Sequence, residues 1–209
     1  MSKQAYYFMY IADPMCSWCW GFAPTLDKIL DTFPLNLRIV VGGLRPGPAA
    51  QRLDDVMRSY LKTHWKHVQE ASGQSFNMAG LERENWLYDT EPAARAVLTM
   101  RQISAASEYK FFKALQKAFY QDALDLTESS CYEALLEPYR IDAQLFIKTM
   151  DSDEIRQQTY QDFGLARHLG VQGFPSLLLG KGSELTMLSR GYQSFERLEP
   201  LIKQQLSSV

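Results

Sequence analysis

Strand-like runs occupy only the two ends of this chain, and that distribution limits its architecture more than any other feature. Residues 5 to 12, AYYFMYIA, are aromatic and β-branched, stop at Asp13-Pro14, and read as a buried strand. From Ser17 the sequence winds into a helix to about Thr32, with Phe22, Leu26, Ile29 and Leu30 at helical spacing and Pro34 closing the run. Pro24 lies inside that stretch and predicts a kink or a delayed start to its regular part. Residues 35 to 43, LNLRIVVGG, read as a second strand running into a glycine turn. At the other end, PSLLLG and LTMLSRG flank Lys181-Gly182-Ser183 as a hairpin, and FERLEPLIKQQL closes the chain as an amphipathic helix.

Between these ends lie about 110 residues with helical periodicity and no strand pattern. Leu53, Val56, Met57, Tyr60, Leu61, Trp65 and Val68 make one stripe. Ala94, Val97, Leu98 and Ile103 make another, opened by Pro92 as first helical residue behind Thr90. Phe111, Phe112, Leu115 and Phe119 form a third, while Cys131, Leu135 and Leu136 belong to a fourth that stops before Pro138. Leu145 to Met150 give a short fifth, and Asp151 with Glu154 resembles a capping box for a helix that ends at Gly170. The predicted order is β-α-β, helical block, β-β-α. This is an α/β fold in which residues 1–45 and 155–209 form one unit around an inserted all-helical domain, 46–154.

The 209 residues are 46% apolar, enough to bury a core without covalent staples. A formal charge of -2 and the lack of any lysine or arginine run argue against a nucleic-acid partner. No stretch approaches the roughly 18 apolar residues of a membrane span. The N-terminal MSKQAYYFMYIADPM does not read as an export signal, so a cytoplasmic location is expected. Three cysteines are too few for a disulfide framework.

Two of those cysteines, Cys16 and Cys19, stand two residues apart where the first strand meets the first helix. As half of a zinc site they need two further ligands, for which Cys131, His64, His67 and His168 are the candidates. His64 joins the apolar stripe of its helix and His67 is expected to be solvated. A redox role fits better, because the first turn of a helix offers unpaired N–H groups and a partial positive charge that favour a thiolate. By position Cys16 is the exposed nucleophile, and Cys19, one turn inside, is the resolving thiol. Ser17 and Trp18, between them, tune the hydrogen bonding of the pair.

The order strand, C-x-x-C, helix, strand, helical insert, then Val171-Gln172-Gly173-Phe174-Pro175-Ser176 leading into a hairpin, resembles the DsbA family of thioredoxin-like proteins. Within it, DPMCSWCWG and GFPSLLL look like the cytoplasmic branch of predicted protein-disulfide isomerases related to FrnE-type oxidoreductases. The resemblance implies that Cys16 attacks, Cys19 resolves, and Pro175 is a cis-proline packed against the pair. It implies too that Phe174 offers its backbone N–H and C=O beside Cys16 to an extended substrate. Cysteine-containing proteins or peptides are the expected partners. No cofactor is implied beyond the redox-active disulfide, with glutathione as a candidate reductant. Ser-Trp between the cysteines and a reducing cytosol point to reductase or isomerase work rather than strong oxidation.

Other residues carry a plainer reading beside a functional one. Asp13 is either a proton acceptor near the thiols or a strand-end turn residue. Trp18, Trp20 and Phe22 form an apolar lip for unfolded chains, with core burial the alternative for Trp20 and Phe22. Cys131 reads as a buried inert thiol. Arg45-Pro46-Gly47-Pro48 reads as a rigid connection, and Arg95 with the 85–91 stretch as an edge of the cleft. Two further functions share this layout. A glutathione-dependent transferase or isomerase of the kappa or chromene-carboxylate isomerase type needs a single corner nucleophile, against which the second thiol weighs. A holdase would work without either cysteine.

Overall fold

The computed structural model describes residues 5–207. The first strand, β1 (Tyr6–Ala12), is followed by α1 (Ser17–Thr32) and β2 (Asn36–Val41), which pairs parallel to β1. The parallel register follows from the connection, since α1 carries the chain back along the sheet before β2 begins. After the helical block, β5 (Ser176–Lys181) and β6 (Glu184–Arg190) form a hairpin, with β5 antiparallel to β1. The sheet order is β2-β1-β5-β6, and α8 (Phe195–Ser207) closes the chain.

Side-chain alternation along β1 assigns its two faces. Phe8, Tyr10 and Ala12 join the large core with α1 and the helical block, whereas Met9 and Ile11 pack with Val40, Leu178 and Ala166 of α7 (Asp153–His168). Residues Phe8 to Ala12 are all buried, as a central strand covered by helices on both faces requires. This is the expected α/β thioredoxin-type core.

The helical block holds α2 (Asp55–Ser72), α3 (Glu91–Ile103), α4 (Glu108–Tyr120), α5 (Tyr132–Leu136) and α6 (Ala143–Met150). It contains one two-residue ladder, β3 (Gln51–Arg52) with β4 (Leu87–Tyr88), too short to leave a periodic signal. Several local expectations are corrected. Helix α1 starts at Ser17 with no delay and stays helical through Pro24; the proline gives no N–H to the Trp20 carbonyl, and Gln74 Nε2 bonds it at 3.1 Å instead. The α2 stripe is wider than the buried face: Leu61, Trp65 and Val68 are inside, whereas Val56 and Tyr60 are 79% and 56% exposed. Helix α3 begins one residue before Pro92; its N-cap, Thr90, makes no side-chain cap bond, and the hydroxyl accepts from Arg45 N. Ser152 rather than Asp151 caps α7, accepting from Ile155 N. Cys131 lies in a 3₁₀ turn ahead of α5 rather than within a helix.

An ion-paired knot ties the block to the sheet. Arg101 on α3 pairs with Glu108 and with Asp162 of α7, and also donates to the Ile39 carbonyl of β2. Asp162 accepts the Val41 N–H as well, fixing the end of β2 that faces the cysteine pair. No helix among the described residues is long and apolar enough to cross a membrane.

Candidate active site

Cys16 is the N-cap of α1: its backbone is extended, and its carbonyl accepts the first helical bond, from Trp20 N at 3.1 Å. Its own N–H donates to the Asp13 carbonyl, closing the turn that Asp13-Pro14 begins. The Cys16 thiol contributes no cap bond; it faces the Phe174 carbonyl at 3.7 Å, and the Phe174–Pro175 peptide is cis, as expected. The carbonyl expected to be open to substrate is therefore engaged by Cys16.

The expected exposure of Cys16 is corrected. The residue is only 6% exposed, and it lines a partly open cavity of about 160 Å³ whose wall includes Tyr60, Leu61, His64 and Trp65 of α2. Cys19 is fully buried one turn behind, within hydrogen-bonding reach of Cys16. Burial, then the neighbouring Cys16, pushes the Cys19 thiol well above the ordinary range. Both cysteines are free thiols. The asymmetry matters chemically, since Cys16 lines the cavity and Cys19 does not.

Phe174 is held by a glycine. Its ring lies over Gly42, at the end of β2, where any β-carbon would collide with it. Gly42 N donates to the Ala12 carbonyl at 2.8 Å, so the two strands of the parallel pair set the position of the loop beside Cys16.

Asp13 is buried, and its carboxylate accepts from Met15 N at 2.8 Å and Leu44 N at 2.7 Å. The Thr90 hydroxyl, which accepts from Arg45 N, lies close enough to favour the charged carboxylate. Burial raises its pKa to about 6 against the pull of these bonds, and its charge bears on Cys19. This is more than a turn residue does. The Tyr10 hydroxyl, from β1, lies within hydrogen-bonding reach of Cys19.

The aromatic lip reduces to one of its three members. Trp18 is half-buried at the cavity, with ring centroids 6.0 Å from His64, 5.6 Å from His67 and 5.5 Å from Tyr192. Trp20 turns inward, stacks on Tyr120 and donates Nε1 to the Ser75 carbonyl, and Phe22 is fully buried. Ser17 is buried at the cavity wall. The structure brings to this cavity residues that the sequence did not place beside the cysteines: Arg45, Tyr60, His64 and Tyr88 line it. Arg45 is thus more than part of a rigid connection. Arg95, in contrast, is buried against Glu91 and Asp151 and does not edge the cleft. Burial pushes the Cys131 thiol up to about 12. Among the described residues no three of His, Cys, Asp and Glu converge as a metal site needs. A wider surface hollow of about 500 Å³ beside Glu133 and Lys148 contains neither Cys16 nor Cys19.

A C-x-x-C pair at the start of α1, a cis-proline loop against it and a helical block over both define a thioredoxin-fold protein of the DsbA type. The sequence matches the DSBA-like thioredoxin domain over residues 10–203, and the chain belongs to that family. Among solved structures it is similar to a candidate protein disulfide isomerase from Nitrosomonas europaea, at 33% identity over 97% of this chain and 98% of that one, with a TM-score of 0.89. It shares its fold with the cytosolic disulfide reductase DsbM from Pseudomonas aeruginosa, solved alone and with GSH (glutathione). For the structure without it, identity is 21%, coverage 97% and 100%, and the TM-score 0.80. A 2-hydroxychromene-2-carboxylate isomerase has the same fold at 14% identity, covering 95% of this chain and 94% of its own, with a TM-score of 0.63. Among curated proteins the sequence finds no match.

Proposed function

We propose that this protein is a thiol-disulfide oxidoreductase or isomerase that exchanges disulfides with cysteine-containing proteins or peptides. The observation that carries the reading is the unequal pair: Cys16 at the helix N-terminus against the Phe174 carbonyl, with Cys19 fully buried within reach behind it. The Cys16 thiolate attacks one sulfur of a substrate disulfide, forms a mixed disulfide, and releases the other sulfur as a thiolate. Cys19 then attacks the Cys16 sulfur, closing the Cys16–Cys19 disulfide and releasing the second substrate thiol. One substrate disulfide is reduced to two thiols as the protein dithiol is oxidised. Two molecules of a small thiol, glutathione in this reading, return the pair to the dithiol.

A high pKa keeps Cys19 protonated, and thus silent, until its proton can leave. Asp13 is the nearby acid suited to take it, being ionised above about pH 6. Trp18 and Phe174 flank the incoming sulfur, Ser17 lies between the two cysteines, and Pro175 holds the loop. The second thiol favours exchange over a glutathione transferase, which needs one corner nucleophile. A reducing, cytosolic setting and work as a reductase or isomerase fit the description of the Pseudomonas relative as a cytosolic disulfide reductase.

Insulin-disulfide reduction tests the proposal. Cys16→Ser is expected to fall to the uncatalysed rate, and Cys19→Ser to accumulate a mixed disulfide visible by mass. Undiminished reduction by Cys16→Ser would overturn it.

A further inference from the structure

Arginines that fold into the body of this protein are matched by acids, with one exception. Arg58 pairs with Asp55, Arg83 with Asp125, Arg95 with Glu91 and Asp151, and Arg101 with Glu108 and Asp162. Arg45 is half-buried too, yet among the described residues no carboxylate comes within ion-pair distance of it. Asp13 feels the charge of Arg45, but its two oxygens already accept from Met15 N and Leu44 N.

The guanidinium is nevertheless held in place. Its Nε donates to Gln51 Oε1 at 2.9 Å, and its carbon sits 4.9 Å above the ring of Tyr88, itself anchored through its hydroxyl to the Met15 carbonyl. Among the described residues the two terminal nitrogens have no hydrogen-bond or ion-pair partner. They belong to the residue that shares the 160 Å³ cavity with Cys16, with Tyr60 and His64 on the same wall. His64 is kept toward its neutral form by burial and by the charges of His67 and Arg45, which leaves Arg45 as the fixed positive charge of the cavity near neutral pH. A planar, partly desolvated guanidinium with free nitrogens is built for a carboxylate, which it grips through two parallel bonds.

We propose that Arg45 is a specificity residue that binds a carboxylate carried close to the reacting sulfur of the substrate. This rests on the disulfide-exchange reading above and narrows its substrate class to disulfides with an acidic group near the sulfur. The small cavity accommodates an arm of a few atoms beside Cys16. Two sources carry that chemistry: the carboxylates of glutathione, and an acidic residue beside a cysteine in a peptide.

The test compares kcat/KM for glutathione disulfide with kcat/KM for the uncharged hydroxyethyl disulfide, in the wild type, Arg45→Met and Arg45→Lys. Losing a charge-assisted bond to the carboxylate lowers the ratio of the two values by about tenfold or more in Arg45→Met, mainly through KM. Arg45→Lys restores part of the ratio, and Gln51→Ala, which frees the guanidinium without removing it, gives a smaller drop of the same sign. Disulfide peptides with Glu or Gln next to the cysteine identify the source. A loss confined to the Glu peptide assigns the acid to protein substrates, and a loss confined to glutathione disulfide assigns it to the small thiol. An unchanged ratio for every acidic substrate, whether all rates fall together or none does, overturns the proposal. Cys16→Ser, run alongside, separates this from failure of the exchange reading, which alone predicts that this variant is inactive toward all of these disulfides.

Discussion

Replacing Asp13 by Asn in the reduced protein removes a buried titratable group while nearly preserving its shape. Burial lifts this carboxylate from the usual 3.8 to about 6. A folded-state value above the unfolded one means that the protonated form is favoured by folding. The group's contribution is therefore fully present below about pH 4 and is lost as the pH rises through about 6. At 1.36 kcal/mol per tenfold change in proton affinity, the full span is worth about 3 kcal/mol, of which about 2.4 is expressed between pH 8 and pH 4. The amide that replaces it has no such titration. Its oxygen serves only one of the Met15 and Leu44 N–H groups well, which costs about 1–3 kcal/mol independently of pH. Urea unfolding of both proteins, followed from about pH 4 to pH 8 with excess reductant, separates the two effects. The offset shifts the whole curve, whereas the stability of the Asp13→Asn variant minus that of the wild type climbs by about 2 to 3 kcal/mol as the pH rises. Other acids raised by burial, such as Glu91 and Glu108, are common to both proteins and cancel in the difference. A difference that stays flat across the range, or moves toward the wild type with rising pH, would refute the claim that burial dominates at Asp13.

Two other perturbations probe how the site is held. Gly42→Ala pushes the Phe174 ring off the end of β2, and is expected to slow insulin reduction by about tenfold to a hundredfold by moving the loop that faces Cys16. A normal rate in a stably folded Gly42→Ala protein would show that the loop does not position the reaction. Asp162→Ala strips Arg101 of one partner and leaves the Val41 N–H without its acceptor, so denaturant unfolding should register a loss of about 3 kcal/mol. A loss below about 1 kcal/mol would mean that the knot between α3, α7 and β2 is dispensable.

Much of the scaffold was legible in the sequence. The aromatic and β-branched run over residues 6–12 and the helical spacing from Ser17 to Thr32 report the conformation each stretch of backbone prefers, and that is a local property. The Cys16-x-x-Cys19 corner and the Phe174-Pro175 loop were legible for the same reason, as short motifs at element boundaries. Periodicity overreached where it had to decide what an element packs against. Val56 and Tyr60 share the stripe of α2 with Trp65 but face solvent, since the neighbours of α2 cover only part of it. Trp18 and Trp20, two residues apart, end in opposite surroundings, one at the cavity and one stacked on Tyr120.

The chain by itself determined the order of its strands and helices and put two thiols at the start of a helix, because both follow from interactions within a few residues. Only the tertiary structure decided the state of those thiols and their surroundings. Cys16 lines a cavity walled in part by α2, the Asp13 carboxylate is desolvated beneath Leu44 and Thr90, and Arg45 reaches the cavity with its charge unmatched. Desolvation and ion pairing depend on groups that lie tens of residues apart until the chain folds.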